Sequence, residues 1–199
     1  MKEQIQVFRR KLARKLSPAR YEHSLSVSFI CIALAMRYDY DLDKAELAGL
    51  LHDCAKRYKN DILIEKCRQH GVELTKDELL APVVIHAKYG AWMAKHKYGI
   101  QDEEILSAIR FHTTGCPDMT TLEKIVWLAD YIEPRRAYIE QLPRIRKLAF
   151  QDLDLAICES LAGSLAYLQR KGDHVDLMSQ SALDYYQKLI QNRTIKGEE

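Results

Sequence analysis

The sequence predicts an all-α protein, a single-domain helical bundle of about nine helices. Three observations predict it. Apolar residues recur at helical spacing along nearly the whole chain, no stretch alternates as a strand would, and cap residues with terminal glycines mark the segment ends. A length of 199 residues suits one domain with a sizeable core, covering 1–199, with its body over about 18–171 and a C-terminal helix over about 179–192.

The elements follow in order. Ser17-Pro18 pairs a cap with proline at the first helical position and opens a helix to about Tyr38. A second helix spans roughly Asp43 to Lys56, with Leu47, Leu50 and Leu51 facing inward. Asn60 can cap a third, which stops at Gly71. Thr75-x-x-Glu78 is a capping box for a short turn of helix. Pro82 opens a helix ending near Gly99, and Asp102 opens another that reaches His112. Thr120-x-x-Glu123 is a second capping box, starting the helix that carries Asp130 and ends before Pro134. A long helix runs from Asp152 to Lys171, closed by Gly172, and Ser179 caps the last one.

Composition narrows the function classes. The chain is 47% hydrophobic and 29% charged, as ordinary globular proteins are. A net charge of +2 gives no polyelectrolyte field for nucleic acid. The N-terminal cations Arg9, Arg10, Lys11, Arg14 and Lys15 alternate with Ile5, Phe8 and Leu12, as the solvated face of a helix does. No apolar run approaches the roughly 20 residues of a membrane span, and the N-terminus lacks the apolar middle of a secretory signal. The five cysteines are scattered without a C-x-x-C pair and read as small core residues in a reducing cytoplasm.

Six polar residues break the helical pattern. His23 precedes Leu25, Val27 and Phe29, and His52-Asp53 directly follows Leu50-Leu51. His86 follows Val83-Val84-Ile85, His112 follows Ile109 and Phe111, and Asp130 sits inside IVWLADYI. By contrast, His70 and His96 lie near helix ends in polar surroundings, as surface residues do. A single acid in so apolar a helix is nearly buried and more often closes a salt bridge than binds metal. The constellation reverses that weighting. His23, His52, Asp53 and Asp130 form a set of nitrogen and oxygen donors without thiolate, suited to iron, manganese, zinc or magnesium, with positions left for water and substrate. Cations accompany the set: Arg20 three residues before His23, Lys56 three after Asp53, and Arg135-Arg136 after the Asp130 helix. The turn His112-Thr113-Thr114-Gly115 adds an imidazole and two hydroxyls. Together these groups point to metal-assisted attack on a phosphoryl group.

The blocks RYEHSLSV (20–27), ELAGLLHDCAK (46–56), EEILSAIRFHTTG (103–115) and LEKIVWLADYIEPRR (122–136) resemble the HD-domain phosphohydrolase superfamily. More specifically, they are similar to the bacterial symmetrical diadenosine tetraphosphate hydrolases, the YqeK-like family. One departure is Cys54, where that family's pattern suggests a tyrosine or another larger residue. The resemblance implies hydrolysis of dinucleoside polyphosphates to ADP with iron as the metal, and contacts to an ADP-like nucleotide. Arg20, His23, Lys56, His86, His112, Thr113, Asp130, Arg135, Arg136 and His174 are then expected on the substrate. Asp53, His86 and His112 are the expected catalytic groups. The two histidines either ligate a second metal bridged by Asp53 or contact phosphate and protonate the leaving group, and the second reading is preferred because four ligands already complete one site. The segment Gly172–Ser179, with His174 and Asp176, either closes over nucleotide or is a simple interhelical loop. Two other readings use the same ligands: an HD phosphohydrolase for a deoxynucleotide, cyclic dinucleotide or guanosine alarmone, and a sensor that binds without turnover. No membrane or nucleic-acid partner is expected. Tyr185-Tyr186 would suit a homodimer if exposed and the core if not.

Overall fold

A computed structural model describes residues 2–137 and 139–197. Among these there are eleven α-helices and no strand: α1 (Lys2–Ala13), α2 (Pro18–Arg37), α3 (Leu42–Leu51), α4 (Asn60–Gln69), α5 (Lys76–Leu80), α6 (Ile85–Tyr98), α7 (Glu103–Phe111), α8 (Thr121–Ile132), α9 (Leu142–Leu148), α10 (Leu153–Lys171) and α11 (Leu177–Gly197). The expected bundle is therefore present, with two more helices than the nine. Amphipathic α1 buries Ile5, Phe8 and Leu12 and leaves Arg10 exposed, as are Arg14 and Lys15 in the turn that follows. Short α9 carries Pro143 in its first turn and too few residues for a clear period.

Local chemistry explains most boundaries. Both capping boxes form, Thr75 with Glu78 and Thr120 with Glu123. Asp102 and Asp152 accept from backbone N–H groups of the helices they open, while Gly99 and Gly172 close theirs in the left-handed conformation. Four boundaries differ from the sequence reading. Pro82 begins a short 3-10 turn, Pro82–Val84, and α6 starts only at Ile85. Lys59, not Asn60, occupies the cap position of α4, and no side chain bonds there. The last helix begins at Leu177, where the Asp176 carboxylate accepts from the Met178 N–H, so Ser179 lies within it. Most important, α3 stops at Leu51; His52 is its C-cap and the next residues turn away from the axis.

The core gathers where α2, α3 and α8 pack together, with α7 against α3 and α8. Leu34, Leu47, Leu50, Leu51, Ile109, Leu122 and Ile125 are fully buried there. Gly49 makes the α2–α3 contact close: an added Cβ would stand 2.6 Å from Cys31 Sγ and 3.0 Å from Ser28 Cα. At the far end, α11 closes the bundle by burying Tyr186, whose hydroxyl accepts from the Met119 N–H at 3.0 Å. Tyr186 is thus core and Tyr185 half-buried, which removes the exposed aromatic pair as a ground for dimerisation. Gly115, with φ +67°, packs so that a Cβ would lie 3.5 Å from Ala182 of the same helix. Cys31, Cys54 and Cys67 are buried, Cys116 and Cys158 half-buried, and all five are free thiols. Among the described residues no helix is long and apolar enough to cross a membrane.

Candidate metal centre

Five elements bring their polar groups to one place. His23 comes from the first half of α2, Asp130 from the last turn of α8, and His52-Asp53 from the end of α3. His86 opens α6 and His112 caps α7 at its C-terminus. Because α3 ends at Leu51, the doublet need not share a helical face. The turn aims both side chains into the bundle.

The imidazoles are oriented by a repeated device. His52 Nδ1 lies 2.7 Å from the Gly49 carbonyl, His86 Nδ1 2.6 Å from that of Val83, and His112 Nδ1 2.7 Å from that of Ile109. A carbonyl can only accept, so each Nδ1 carries the proton and donates it. In the neutral ring, Nε2 is then left as a bare lone pair. Burial favours that neutral form, lowering the His52 pKa to about 4 and that of His86 as well.

Those lone pairs converge. His86 Nε2 lies 3.1 Å from His112 Nε2, and His52 Nε2 lies 3.3 Å from His23 Nε2. Asp53 sits between the two pairs and is 2% exposed. Its Oδ1 stands 3.2 Å from His86 Nε2 and 3.4 Å from His112 Nε2, while Oδ2 stands 3.7 Å and 3.8 Å from those of His52 and His23. Burial alone would raise the Asp53 pKa, but His52, His112, His86 and Lys56 hold its carboxyl well below the usual range. Asp130 Oδ1 completes the first pair at 3.1 Å from His23 Nε2 and 4.0 Å from that of His52. Its carboxyl is likewise lowered, since the bond to His23 outweighs the opposing effect of burial. Neutral nitrogens and carboxylate oxygens facing one another across a few ångströms repel unless a cation lies among them. The donor set therefore fits a metal, and two groups of three, His23/His52/Asp130 and His52/Asp53/His112, are each close enough to hold one.

Asp130 is less buried than its apolar helix suggested. Its side chain is 22% exposed, and His23 is similarly open at 24%, whereas His52, Asp53, His86 and His112 are sealed in. Solvent thus reaches the cluster on the His23–Asp130 side.

The other expected contacts divide. Thr113 Oγ1 lies 3.4 Å from His86 Nε2 and 3.2 Å from His112 Nε2. Lys56 Nζ is 3.6 Å from Asp53 Oδ1, and Arg20 lines the same groove as Lys56 and His86. Arg136 leans on Asp130, its Nη1 3.9 Å from Oδ1. Arg135 instead pairs with Glu22, and His174 pairs with Asp77 of α5 at 2.6 Å. Asp176, buried at the foot of α11, has its pKa raised by burial and by neighbouring Asp77. Cys54 turns away, 3.6 Å from the Gly90 carbonyl, so the departure at that position leaves the cluster untouched.

A family model described as HD domain matches residues 20–135, which contain all of these ligands. The chain belongs to the HD-domain family. Among its relatives in that family, the protein named "Bis(5'-nucleosyl)-tetraphosphatase, symmetrical" of Halalkalibacterium halodurans is 43% identical over 164 residues, 80% of this chain and 84% of that one. The Bacillus subtilis protein of the same name is 39% identical over 81% of this chain and 86% of its own length. A crystal structure from Clostridium acetobutylicum, titled a predicted HD superfamily hydrolase involved in NAD metabolism, superposes with a TM-score of 0.88 at 37% identity, covering 92% of this chain and 96% of that one.

One HD-cluster neighbour escaped the sequence reading. Glu133, 4% exposed, faces His23 Nδ1 at 3.6 Å and accepts from the Ser26 hydroxyl and the Arg135 N–H, both at 3.0 Å. With Asp130, Asp53 and Glu133 around it, His23 has a raised pKa despite the opposing effect of burial. Glu133 stands beside Nδ1 of His23 as an ion-pair partner, where backbone carbonyls accept hydrogen bonds from Nδ1 of the other three rings. Glu133→Gln is expected to weaken metal binding by about 10- to 100-fold, read by competition with a chelator. Unchanged affinity would reduce Glu133 to a support for the end of α8.

Proposed function

We propose that this protein is a metal-dependent phosphohydrolase that cleaves dinucleoside polyphosphates, diadenosine tetraphosphate above all, symmetrically into two molecules of ADP. The observation that carries the reading is Asp53, a buried carboxylate whose two oxygens each face a separate pair of imidazole nitrogens. The relatives named for this reaction align over most of the chain. A divalent cation at such a site supplies a Lewis acid for phosphoryl oxygen and lowers the pKa of water toward neutrality.

His23, His52, Asp53 and Asp130 are assigned as metal ligands. We assign iron, the metal that the resemblance to the symmetrical tetraphosphate hydrolases implies; imidazole and carboxylate donors without thiolate also suit manganese, zinc and magnesium. For His86 and His112 the geometry favours ligation of a second cation beside Asp53 over proton donation, since their Nδ1 protons are committed to backbone carbonyls. Thr113 supplies a hydroxyl between these two rings. Arg20, Lys56 and Arg136 line the approach and offset polyphosphate charge that grows on the oxygens in the transition state. Arg135 and His174 contribute only if they leave Glu22 and Asp77. The substrate class and the five free thiols suit a reducing cytoplasm.

Protein loaded in turn with iron, manganese or zinc and given a nucleotide panel should convert diadenosine tetraphosphate to ADP alone, followed by chromatography. Formation of AMP plus ATP, or tight binding without products, would overturn the reading.

A further inference from the structure

A groove of about 440 Å³ leads away from the cluster on the His86 side. Arg20, Lys56, Arg57, Tyr58 and Lys59 line it, and none of its lining residues is acidic. Lys56 has Asp53 within 4.0 Å, but among the described residues no carboxylate lies that close to Arg20, Arg57 or Lys59. Several other cations are neutralised, Lys44 by Asp102 and Glu104, Lys88 by Glu78, Lys124 by Asp154, and Arg144 by Glu159. Arg20, Arg57 and Lys59 instead share one groove with Lys56 and His86, next to the metal cluster.

Arg57 is also held in place. Its Cζ lies 4.5 Å from the centre of the Tyr58 ring, and its guanidinium donates to the Tyr58 hydroxyl. Tyr58 itself packs edge-on against buried Tyr89 at 6.2 Å and carries Lys66 Nζ 4.8 Å from its ring centre. The ring serves as a platform for cations rather than for a base. Beyond it, Lys59 precedes α4, whose first-turn N–H groups have no side-chain cap and add positive potential at the groove's far end.

We propose that Arg57 and Lys59 bind the two phosphates of the departing ADP half, so that the groove sets the position of cleavage. This rests on the reading of the site as a dinucleoside tetraphosphate hydrolase. A fixed row of cations beginning at Lys56 admits a defined number of phosphates beyond the one attacked at the cluster. In that step water oxygen bonds to phosphorus and the bridging P–O bond breaks. The bridging oxygen leaves on the half lying in the groove, and the water's protons pass to solvent. Two phosphates on the groove side make both products ADP.

The test uses the metal-loaded protein and the variants Arg57→Ala, Lys59→Ala and the double substitution; both side chains are exposed. KM and kcat are measured on diadenosine tetraphosphate and diadenosine triphosphate, and ADP affinity is measured by calorimetry. The double variant should bind ADP at least tenfold more weakly, raise KM for the tetraphosphate and the triphosphate alike by at least tenfold, and release AMP plus ATP beside ADP from the tetraphosphate. Arg57→Lys should recover part of each effect. Double-variant values within twofold of the parent, with the parent active on the tetraphosphate, would overturn the groove assignment and leave the proposed reaction standing. A parent that does not cleave the tetraphosphate would instead overturn the proposed reaction.

Discussion

Asp53→Ala should lower kcat on the order of 10³-fold or more while leaving helical content unchanged. The expectation follows from position. Asp53 faces both imidazole pairs, so on the proposed assignment its loss removes an oxygen donor from each and leaves the His86–His112 pair with no carboxylate beside it. The fold has little reason to suffer in the absence of metal, because Oδ1 is a buried atom without a hydrogen-bond partner. Initial rates with circular dichroism separate the two effects. Activity within tenfold of the parent would show that phosphoryl chemistry does not pass through this carboxylate.

Metal addition should raise the melting temperature of the parent strongly and that of Asp53→Ala little. Binding confined to the folded state at a hundredfold excess over Kd stabilises by about 2.7 kcal/mol. For a domain near 200 residues that corresponds to a rise of roughly 5–10 °C. A chelator should reverse the shift. Equal shifts in parent and variant would mean that the metal binds somewhere else.

The histidines were legible in the sequence because each interrupts an apolar helical pattern, and only a compensated polar group survives there. The capping boxes at Thr75 and Thr120 were legible for a similar reason, since the residues that satisfy the free N–H groups lie within one turn. What stayed hidden depends on tertiary placement. Glu133 sits next to Pro134 in a segment that reads as a helix stop, and nothing local says that its carboxylate turns back toward His23. Asp130 looked buried because its neighbours are apolar, yet the bundle leaves one side of it open. Arg57 and Lys59 look like ordinary surface charges until the groove that they share with Lys56 and His86 is seen in three dimensions. Arg135 looked like a phosphate contact from its position after α8, but Glu22 on α2 is within its reach.

The last helix contributes no side chain to the metal cluster, yet the turn holding His112 leans on it. Ala182 fills the space beside Gly115, and Tyr186 anchors Met119 four residues further on. Damage to α11 would therefore reach the chemistry as a loosened imidazole, with every ligand still encoded. An inventory of metal ligands would score such a shortened chain as intact, although the wall behind His112 had been taken away.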